Sequence, residues 1–251
     1  MNKKNDILFA VEKLKAQLVY NMSKAEGNTH TVAEVITVVD MGVTVGGKKL
    51  KEHEQVVQIA KAWDYLIELI EKDQFQCDKR TAMDLNQIVA KADYHDLGCF
   101  RNRNVGITGT EYIPPDPLTI REIWDEIEHF VENEQDKKYA AFNVFLEIAR
   151  NQVFNDGNKR TGQLLMNGIL MSNNLHVVTF PDRLLAEYAK KLISFYETGE
   201  KKEMSAFLED RQMHMEKAFK KSENLEDQDN ILNGHPLTIL QNNEKQNIIH
   251  G

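Results

Sequence analysis

Apolar side chains recur at spacings of three and four residues through most of this chain, a repeat that predicts amphipathic helices. Residues 5–21 show it clearly, with one face made of Ile7, Leu8, Val11, Leu14 and Leu18. The other helices are predicted over about 31–40, 50–70, 137–152, 160–173, 182–198 and 201–220, with two more starting at Thr81 and Thr119. Since residues 137–152 are very apolar, we expect that helix to be central. The repeat therefore predicts an all-α fold.

Two of the predicted helix starts carry a recognisable capping pattern. Thr31 is followed three residues later by Glu34, and Thr119 is followed by Glu122. In a capping box the hydroxyl and the carboxylate satisfy each other's backbone N–H groups at a helix start. We therefore expect a helix N-terminus at each of these threonines.

One segment breaks the helical pattern. Residues 98–115 alternate Val105 and Ile107 with polar neighbours, contain several glycines and end in two consecutive prolines. This pattern predicts one short β-hairpin in an otherwise helical protein. The exposed edge of such a hairpin can accept the backbone of a partner protein as an added strand. The alternative is an ordinary connecting hairpin.

Size and charge exclude several classes of protein. A chain of 251 residues, 41% of them hydrophobic, can bury a core without disulfides, so Cys77 and Cys99 are interpreted as reduced thiols in a cytoplasmic compartment. The net charge of −8 argues against a general nucleic-acid binder, whose affinity comes from clustered cations. The apolar stretches are too short to cross a bilayer, so neither nucleic acid nor membrane is an expected partner.

The composition changes after Lys221. The remaining segment has five acidic residues and one basic residue, so it contributes −4 of the net charge of −8. It has no aromatic residue and no helical repeat, which is typical of a mobile tail. The sequence thus predicts N-terminal helices over 1–40, a helical domain over 41–220 and a polar tail over 221–251.

The segment Gln152–Gln163, of sequence QVFNDGNKRTGQ, has the chemistry of a binding loop. It connects two strongly helical segments, and the N–H groups and dipole at the start of the second helix favour anions. Lys159 and Arg160 add positive charge, and Gly157 would let the backbone approach a phosphate. Asp156 is a candidate Mg²⁺ ligand, because this ion prefers one or two carboxylates together with phosphate oxygens. The alternative is a helix–helix turn with an aspartate cap and solvated cations.

The same segment carries a family resemblance. The run Phe154-Asn-Asp-Gly-Asn-Lys-Arg160 resembles the signature of the Fic (Fido) family, His-x-Phe-x-Asp/Glu-Gly-Asn-x-Arg-x-x-Arg. Residues 98–115 are similar to the family's target-docking flap, and residues 44–66 resemble its upstream helix. The run Ser23-Lys-Ala-Glu-Gly-Asn28 resembles the inhibitory motif of members with an N-terminal regulatory helix. The similarity covers most of residues 20–210 and implies a Fic-type helical bundle.

The resemblance implies transfer of AMP from Mg-ATP to a hydroxyl of a target protein, in a family that often forms homodimers. It implies target docking by the flap residues Val105, Gly106, Ile107 and Thr108. It implies a metal ligand at Asp156 and regulation through Ser23, Glu26 and Gly27. The implied nucleotide-binding residues, with Arg160 also catalytic, are Phe154, Gly157, Asn158, Lys159, Arg160 and Gln163.

Two departures from the family pattern bear on activity. The family histidine, a general base typically worth roughly 10²–10⁴-fold, falls on Gln152, and an amide has no usable basicity. The second family arginine falls on Gln163, which removes a phosphate contact and the usual salt-bridge partner of Glu26. We therefore expect a slow or inactive transferase whose inhibitory glutamate has lost its usual partner. The alternatives are an inactive nucleotide-binding interaction module and a protein kinase like the Doc branch of the family.

Overall fold

The computed structural model describes residues 3–92 and 97–224, with side chains as far as Phe219. Nine α-helices occur in these ranges: α1 Lys3–Ala25, α2 Val32–Met41, α3 Leu50–Glu71, α4 Lys79–Val89, α5 Ile120–Asn133, α6 Lys137–Asn151, α7 Asn158–Ser172, α8 Leu185–Thr198 and α9 Lys202–Asn224. The same ranges contain no sheet, so the all-α prediction is confirmed. The predicted tail lies outside the described residues except for its start, because α9 continues to Asn224.

Helices α6 and α7 form the centre of the described fold. The two helices pack side by side along their length. Their facing side chains, such as Phe145 on α6 and Leu164 on α7, are fully buried. Gly162 permits this approach, since a Cβ there would lie 3.3 Å from the Phe145 ring. Around this pair α1 packs on α2 and α3, and α4 packs on α3 and α7. None of the helices in the described ranges is both long enough and apolar enough to cross a membrane.

Both threonines lie at a helix start as predicted, but a capping box forms at only one of them. Glu34 N donates to Thr31 Oγ1 and Thr31 N donates to the Glu34 carboxylate, so α2 begins with a capping box. At the other site a 3₁₀ turn, Pro117–Thr119, leads directly into α5. Asp116 caps that turn by accepting from Leu118 N at 2.8 Å. The Thr119 hydroxyl donates to Asp116 O at 2.9 Å, and this side chain makes no capping bond to α5.

The predicted β-hairpin is wrong. Residues 97–116 form no ladder, and a single isolated antiparallel bridge joins Phe100 to Phe154. The irregular course of this segment is held by Arg101, whose buried guanidinium binds two backbone carbonyls of the segment and two at the C-terminal end of α6. These are the carbonyls of Arg103, Pro115, Asn151 and Gln152. The flap is therefore an irregular segment with a turn at Thr108–Gly109, tied to the α6–α7 loop.

Candidate functional site

A cavity of about 300 Å³ opens beside the loop that joins α6 to α7. Three segments singled out in the sequence line it: Glu26 directly after α1, residues 106–108 of the flap, and the loop residues Gln152 and 156–160. The fourth wall is one face of α8, made of Leu185, Tyr188, Ala189, Leu192, Ile193 and Tyr196. The fold thus brings the predicted regulatory, docking and loop residues to a single site.

Asn158, the first residue of α7, shapes the loop from inside. Its Oδ1 accepts from Phe154 N at 2.8 Å, and its Nδ2 donates to Phe154 O and to Gln152 Oε1, both at 2.9 Å. Asn158 is 3% exposed, so its amide has little contact with solvent. Its hydrogen bonds show that it holds the loop in shape, whereas a direct contact with a nucleotide remains a prediction.

The backbone and the side chain of Gln152 are both held by hydrogen bonds, and its amide cannot act as a general base. It caps α6 in a left-handed conformation, with φ of 49°, and Arg101 donates to its backbone carbonyl. Its Nε2 donates to Ala149 O at 2.6 Å, and its Oε1 accepts from Asn158. Both ends of the amide are therefore engaged within the protein. An amide in this arrangement cannot accept a proton from a substrate hydroxyl.

Gly157 is required by close packing against α4. Its φ is +75°, and a Cβ there would lie 2.8 Å from Ala90 Cβ and 3.1 Å from Asn86 Nδ2. Both the backbone conformation and the space favour glycine. Sequence reasoning assigned this glycine to phosphate approach, and the structure adds that the loop could not pack on α4 without it.

Asp156 and Arg160 form an ion pair at the start of α7. Arg160 NH2 donates to Asp156 Oδ1 at 3.2 Å, and NH1 donates to Val89 O at 2.9 Å. The arginine side chain is 2% exposed, whereas that of the aspartate is 41% exposed. Arg160 is thus directed largely into the core, and its catalytic role stays a prediction. Asp156 is directed toward the cavity.

Asn86 on α4 is a site residue that sequence reasoning missed. Its Nδ2 donates to Asp156 O at 2.9 Å and to Thr161 Oγ1 at 3.2 Å, and its Oδ1 accepts from Gly98 N. The side chain is 1% exposed. Asn86 therefore fixes the loop, the first turn of α7 and the start of the flap relative to one another. A lone asparagine in a helical segment gives no signal of this in the sequence.

Glu26 has an ion-pair partner that the sequence did not predict. Lys159 Nζ lies 3.2 Å from Glu26 Oε1. The two side chains are 18% and 34% exposed for Glu26 and Lys159 respectively, so water screens the pair only in part. Gln163 does leave the inhibitory-type glutamate without an arginine at that position, but Lys159 supplies a cation from the motif itself.

The α8 wall adds two buried tyrosines. Burial raises the pKa of Tyr188, and the neighbouring Tyr196 and the Glu26 carboxylate raise it further. Burial, followed by the charge of Glu26, likewise raises the pKa of Tyr196. Both hydroxyls are therefore neutral donors at physiological pH. Residues 188, 192 and 196 are spaced four apart, as on the buried face of any amphipathic helix, so the sequence gave no sign of a binding site there.

Several predicted site residues do not line the cavity. Phe154 is fully buried and packs on Phe100, with ring centroids 5.8 Å apart. Gln163 is 3% exposed beside Tyr188. Ser23 is buried in α1, where its hydroxyl donates to Tyr20 O. Gly27 and Val105 also lie outside the lining.

A magnesium ion would fit at Asp156 only with help from a ligand. The protein hydrogen bonds of this carboxylate use Oδ1, which leaves Oδ2 for a cation. Within residues 3–92 and 97–224 no cluster of three or more His, Cys, Asp or Glu residues could hold a metal by itself. This donor set suits Mg²⁺, which commonly takes one or two carboxylates and completes its shell with water and phosphate oxygens.

The fold of this helical bundle occurs in other proteins of known structure. Residues 76–170 match the model of the Fic/DOC family. Fic-1 from C. elegans shares the fold with a TM-score of 0.71 at 22% identity, covering 86% of this chain and 64% of that one. A Fic family protein from Desulfovibrio desulfuricans gives 0.69 at 19% identity, covering 86% and 68%.

The curated relatives of this chain also carry the name Fic. "Protein adenylyltransferase Fic" of Drosophila grimshawi is 26% identical over 211 residues, which are 75% of this chain and 42% of that protein. Its namesake of Drosophila mojavensis is 28% identical over 179 residues, 68% of this chain and 35% of that protein. The chain thus spans about two fifths or less of the length of these relatives. The chain is thus similar to the Fic/DOC family over residues 76–170, and to these relatives over a longer region.

Proposed function

We propose that this protein is an AMP-transferase-like member of the Fic family that binds Mg-ATP in the cavity beside the α6–α7 loop. One observation carries the proposal: Glu26, the flap residues 106–108 and the motif residues 156–160 line the same cavity. Its volume of about 300 Å³ lies at the lower end of the range for small-molecule sites. Transfer is expected to be slow or undetectable, because Gln152 replaces the general base.

The phosphates of ATP would lie at the start of α7. This helix has no side-chain cap, so its first N–H groups and its dipole are available to an anion. Lys159 would exchange the Glu26 carboxylate for a phosphate oxygen. Asp156 Oδ2 would bind Mg²⁺, which when bound supplies charge neutralisation to the phosphates.

The α8 wall would receive the nucleoside. Its apolar side chains, among them Leu192 and Ile193, can pack on a planar base, and its tyrosines are hydrogen-bond donors. The Tyr196 hydroxyl is buried and has no hydrogen-bond partner among the described residues. A buried hydroxyl without a partner is energetically costly, so a ligand group that accepts a hydrogen bond from it would be stabilised.

The flap would present the hydroxyl of a target protein to the α-phosphate. Gly106, Ile107 and Thr108 line the cavity together with α8, and residues 97–116 contain no ladder that would occupy their backbone. That free backbone can bind an extended target segment. Positioning and charge stabilisation would then be the remaining sources of rate, since Gln152 cannot accept the proton.

A second candidate is an inactive module that uses nucleotide binding and the flap to bind a partner. The observation in its favour is the Gln152 amide, whose two ends are hydrogen-bonded to Ala149 and Asn158. A side chain held in this way contributes to loop structure whether or not transfer occurs. A kinase like the Doc branch remains an outcome that the labelling experiment below distinguishes.

The test is label transfer from ATP carrying its label at the α- or the γ-phosphate, with Mg²⁺ and a lysate of the source cell type. Wild-type protein is compared with two variants. Gln152→His adds a base, and Gln152→Leu removes the same hydrogen bonds without adding a base. If only the histidine variant transfers the α-phosphate label to a protein, the proposal is supported. Transfer of the γ-phosphate label alone supports a kinase. If none of the three proteins transfers label although ATP binds, the inactive module is supported.

A further inference from the structure

Two walls of the cavity, the flap and α8, are joined by a side chain that does not itself line the cavity. This side chain is Arg150, which lies in the last turn of α6 and is half-buried. The described lining residues come from the end of α1, the flap, the α6–α7 loop with the first turn of α7, and α8. Any effect of Arg150 on a ligand must therefore act through its neighbours.

On one side Arg150 binds the C-terminal end of α8. Its Nε donates to the backbone carbonyl of Tyr196 at 3.2 Å. Tyr196 lies in the last turn of α8, where carbonyls lack an acceptor bond from the next turn of helix. The helix ends at Gly199, where a Cβ would lie 3.5 Å from the guanidinium carbon of Arg150. A cation at this position is also favoured by the helix dipole. Arg150 therefore holds the turn of α8 that brings Tyr196 to the cavity.

On the other side Arg150 binds the flap through an aromatic ring. Its guanidinium carbon lies 4.2 Å from the centroid of the Tyr112 ring, which is a cation–π contact. Tyr112 is partly buried against the core, and its backbone N donates to Thr110 Oγ1 at 3.1 Å. Arg150 thus anchors the flap a few residues after the cavity-lining residues 106–108.

Two other contacts between the flap and α8 are weaker. Thr110 Oγ1 donates to Glu197 Oε1 at 3.3 Å in an exposed position, where water competes for the bond. Gly109 approaches Ile193, since a Cβ there would lie 3.6 Å from Ile193 Cδ1, but glycine has no side chain to contribute to packing. The hydrogen bond of Arg150 to α8 is partly buried and therefore less exposed to this competition.

We propose that Arg150 is a positioning residue that sets the separation between the flap and α8, and with it the fit of a nucleoside between these walls. The inference rests on the proposed function, because it concerns the part of the same cavity that would receive the nucleoside. Without the guanidinium, the flap and the last turn of α8 lose a common anchor. The start of α7, where the phosphates would bind, takes part in neither contact, so phosphate binding should not depend on Arg150.

Two ligands separate the nucleoside part of the cavity from the phosphate part. Mg-ATP would use both parts, whereas magnesium tripolyphosphate would use only the start of α7. In calorimetric titration, Arg150→Gln should weaken Mg-ATP binding about 5- to 20-fold and leave tripolyphosphate binding within about twofold of the wild type. A substitution that only destabilised the fold would weaken the binding of both ligands alike.

Matched variants test the two contacts separately. Tyr112→Phe keeps the ring and should bind Mg-ATP like the wild type, whereas Tyr112→Leu removes the ring and should resemble Arg150→Gln. Arg150→Lys keeps the charge without the planar guanidinium and should restore only part of the affinity. Arg80→Gln is the control, because that side chain is 90% exposed on α4 and lies outside the lining. It should change neither affinity.

Hydrogen–deuterium exchange tests the positioning without any ligand. In Arg150→Gln the amides of residues 104–112 and 194–199 should exchange at least about fivefold faster than in the wild type, while those of α3 are unchanged. If the wild type binds neither Mg-ATP nor tripolyphosphate, the proposed function fails, and the exchange alone decides whether Arg150 holds the two walls. Unchanged exchange in both segments, or equal weakening of the binding of the two ligands, would overturn the inference.

Discussion

Lys159 Nζ lies 3.2 Å from Glu26 Oε1, so the end of α1 is ion-paired to the first turn of α7 where both line the cavity. The cation that would best receive a phosphate is therefore already bound to a carboxylate of the same chain. A nucleotide in the proposed site would have to displace that carboxylate or bind beside its negative charge. This contact couples the N-terminal helix to the site.

Asn158 should be the most important side chain for loop stability. Asn158→Ala removes three hydrogen bonds and leaves Phe154 N and O buried without that partner. Because buried backbone groups are costly to leave unpaired, we expect a loss of about 2–4 kcal/mol in the free energy of unfolding. Urea denaturation of the purified variants measures it. Asn155→Ala, which removes a 3.2 Å contact with exposed Arg103, should cost less than about 1 kcal/mol.

Gly157→Ala should destabilise the protein through both conformation and packing. The new Cβ would lie 2.8 Å from Ala90 Cβ at a φ of +75°, so we expect a loss of about 2–4 kcal/mol. Gly46→Ala is the matched control, because nothing lies within 4 Å of its Cβ and its φ is not positive. Its effect on thermal unfolding should be close to zero. Equal effects from the two substitutions would contradict the packing argument.

The stability of the protein should fall on mild acidification because of His30. Burial lowers the pKa of this histidine below 6.5. The smaller effects of Lys48 and His53 also lower the pKa, whereas Glu34 and Glu52 oppose them. The unfolded chain then binds the proton more tightly than the folded one. The contribution is therefore present above about pH 6.5 and is lost as the pH falls below it.

Unfolding free energies measured from about pH 7.5 down to about pH 5.5 test this sign. His30→Gln should flatten the pH dependence even if it lowers stability throughout. His129→Gln, at an exposed position, should leave the slope unchanged. A wild-type slope that the His30 substitution does not alter would assign the dependence to other groups.

Arg101→Met should loosen the flap without removing its apolar bulk. The guanidinium binds several carbonyls of the flap and of the α6–α7 loop, and Arg101 N donates to Val153 O at 3.0 Å. We expect faster hydrogen exchange in residues 101–116, by about tenfold or more, while α3 is unchanged. Arg121→Met, at an exposed position on α5, is the control and should change neither region.

Local chemistry was predictable from the sequence, whereas long-range pairing was not. The Thr31–Glu34 capping box, the central helix and the loop before α7 depend on neighbouring residues, and all three were found. Arg101 reaches carbonyls up to 51 residues away in sequence, a contact that a local pattern of alternating residues does not reveal, and the hairpin predicted from that pattern is wrong. The α8 wall and Asn86 escaped notice because their helical patterns match an ordinary core.

The pairing of Glu26 shows the same limit. The family pattern supplied its usual arginine position, which Gln163 occupies, but the spatial neighbour is Lys159. Both residues lie in segments that the sequence had marked. Only the packing of α1 against α7 shows that they meet.

The central claim is that the cavity binds a nucleotide and that Glu26 weakens this binding by pairing with Lys159. Calorimetric titration of Mg-ATP tests it most directly. Wild-type protein, Glu26→Gln and the control Glu12→Gln, which lies on the exposed side of α1, would be compared at one ionic strength. We predict weak binding in the wild type and the control, and binding about 3- to 30-fold tighter in Glu26→Gln, because Lys159 is then free to contact phosphate. No heat of binding in any of the three at millimolar nucleotide, or weaker binding in Glu26→Gln than in the wild type, would contradict the account.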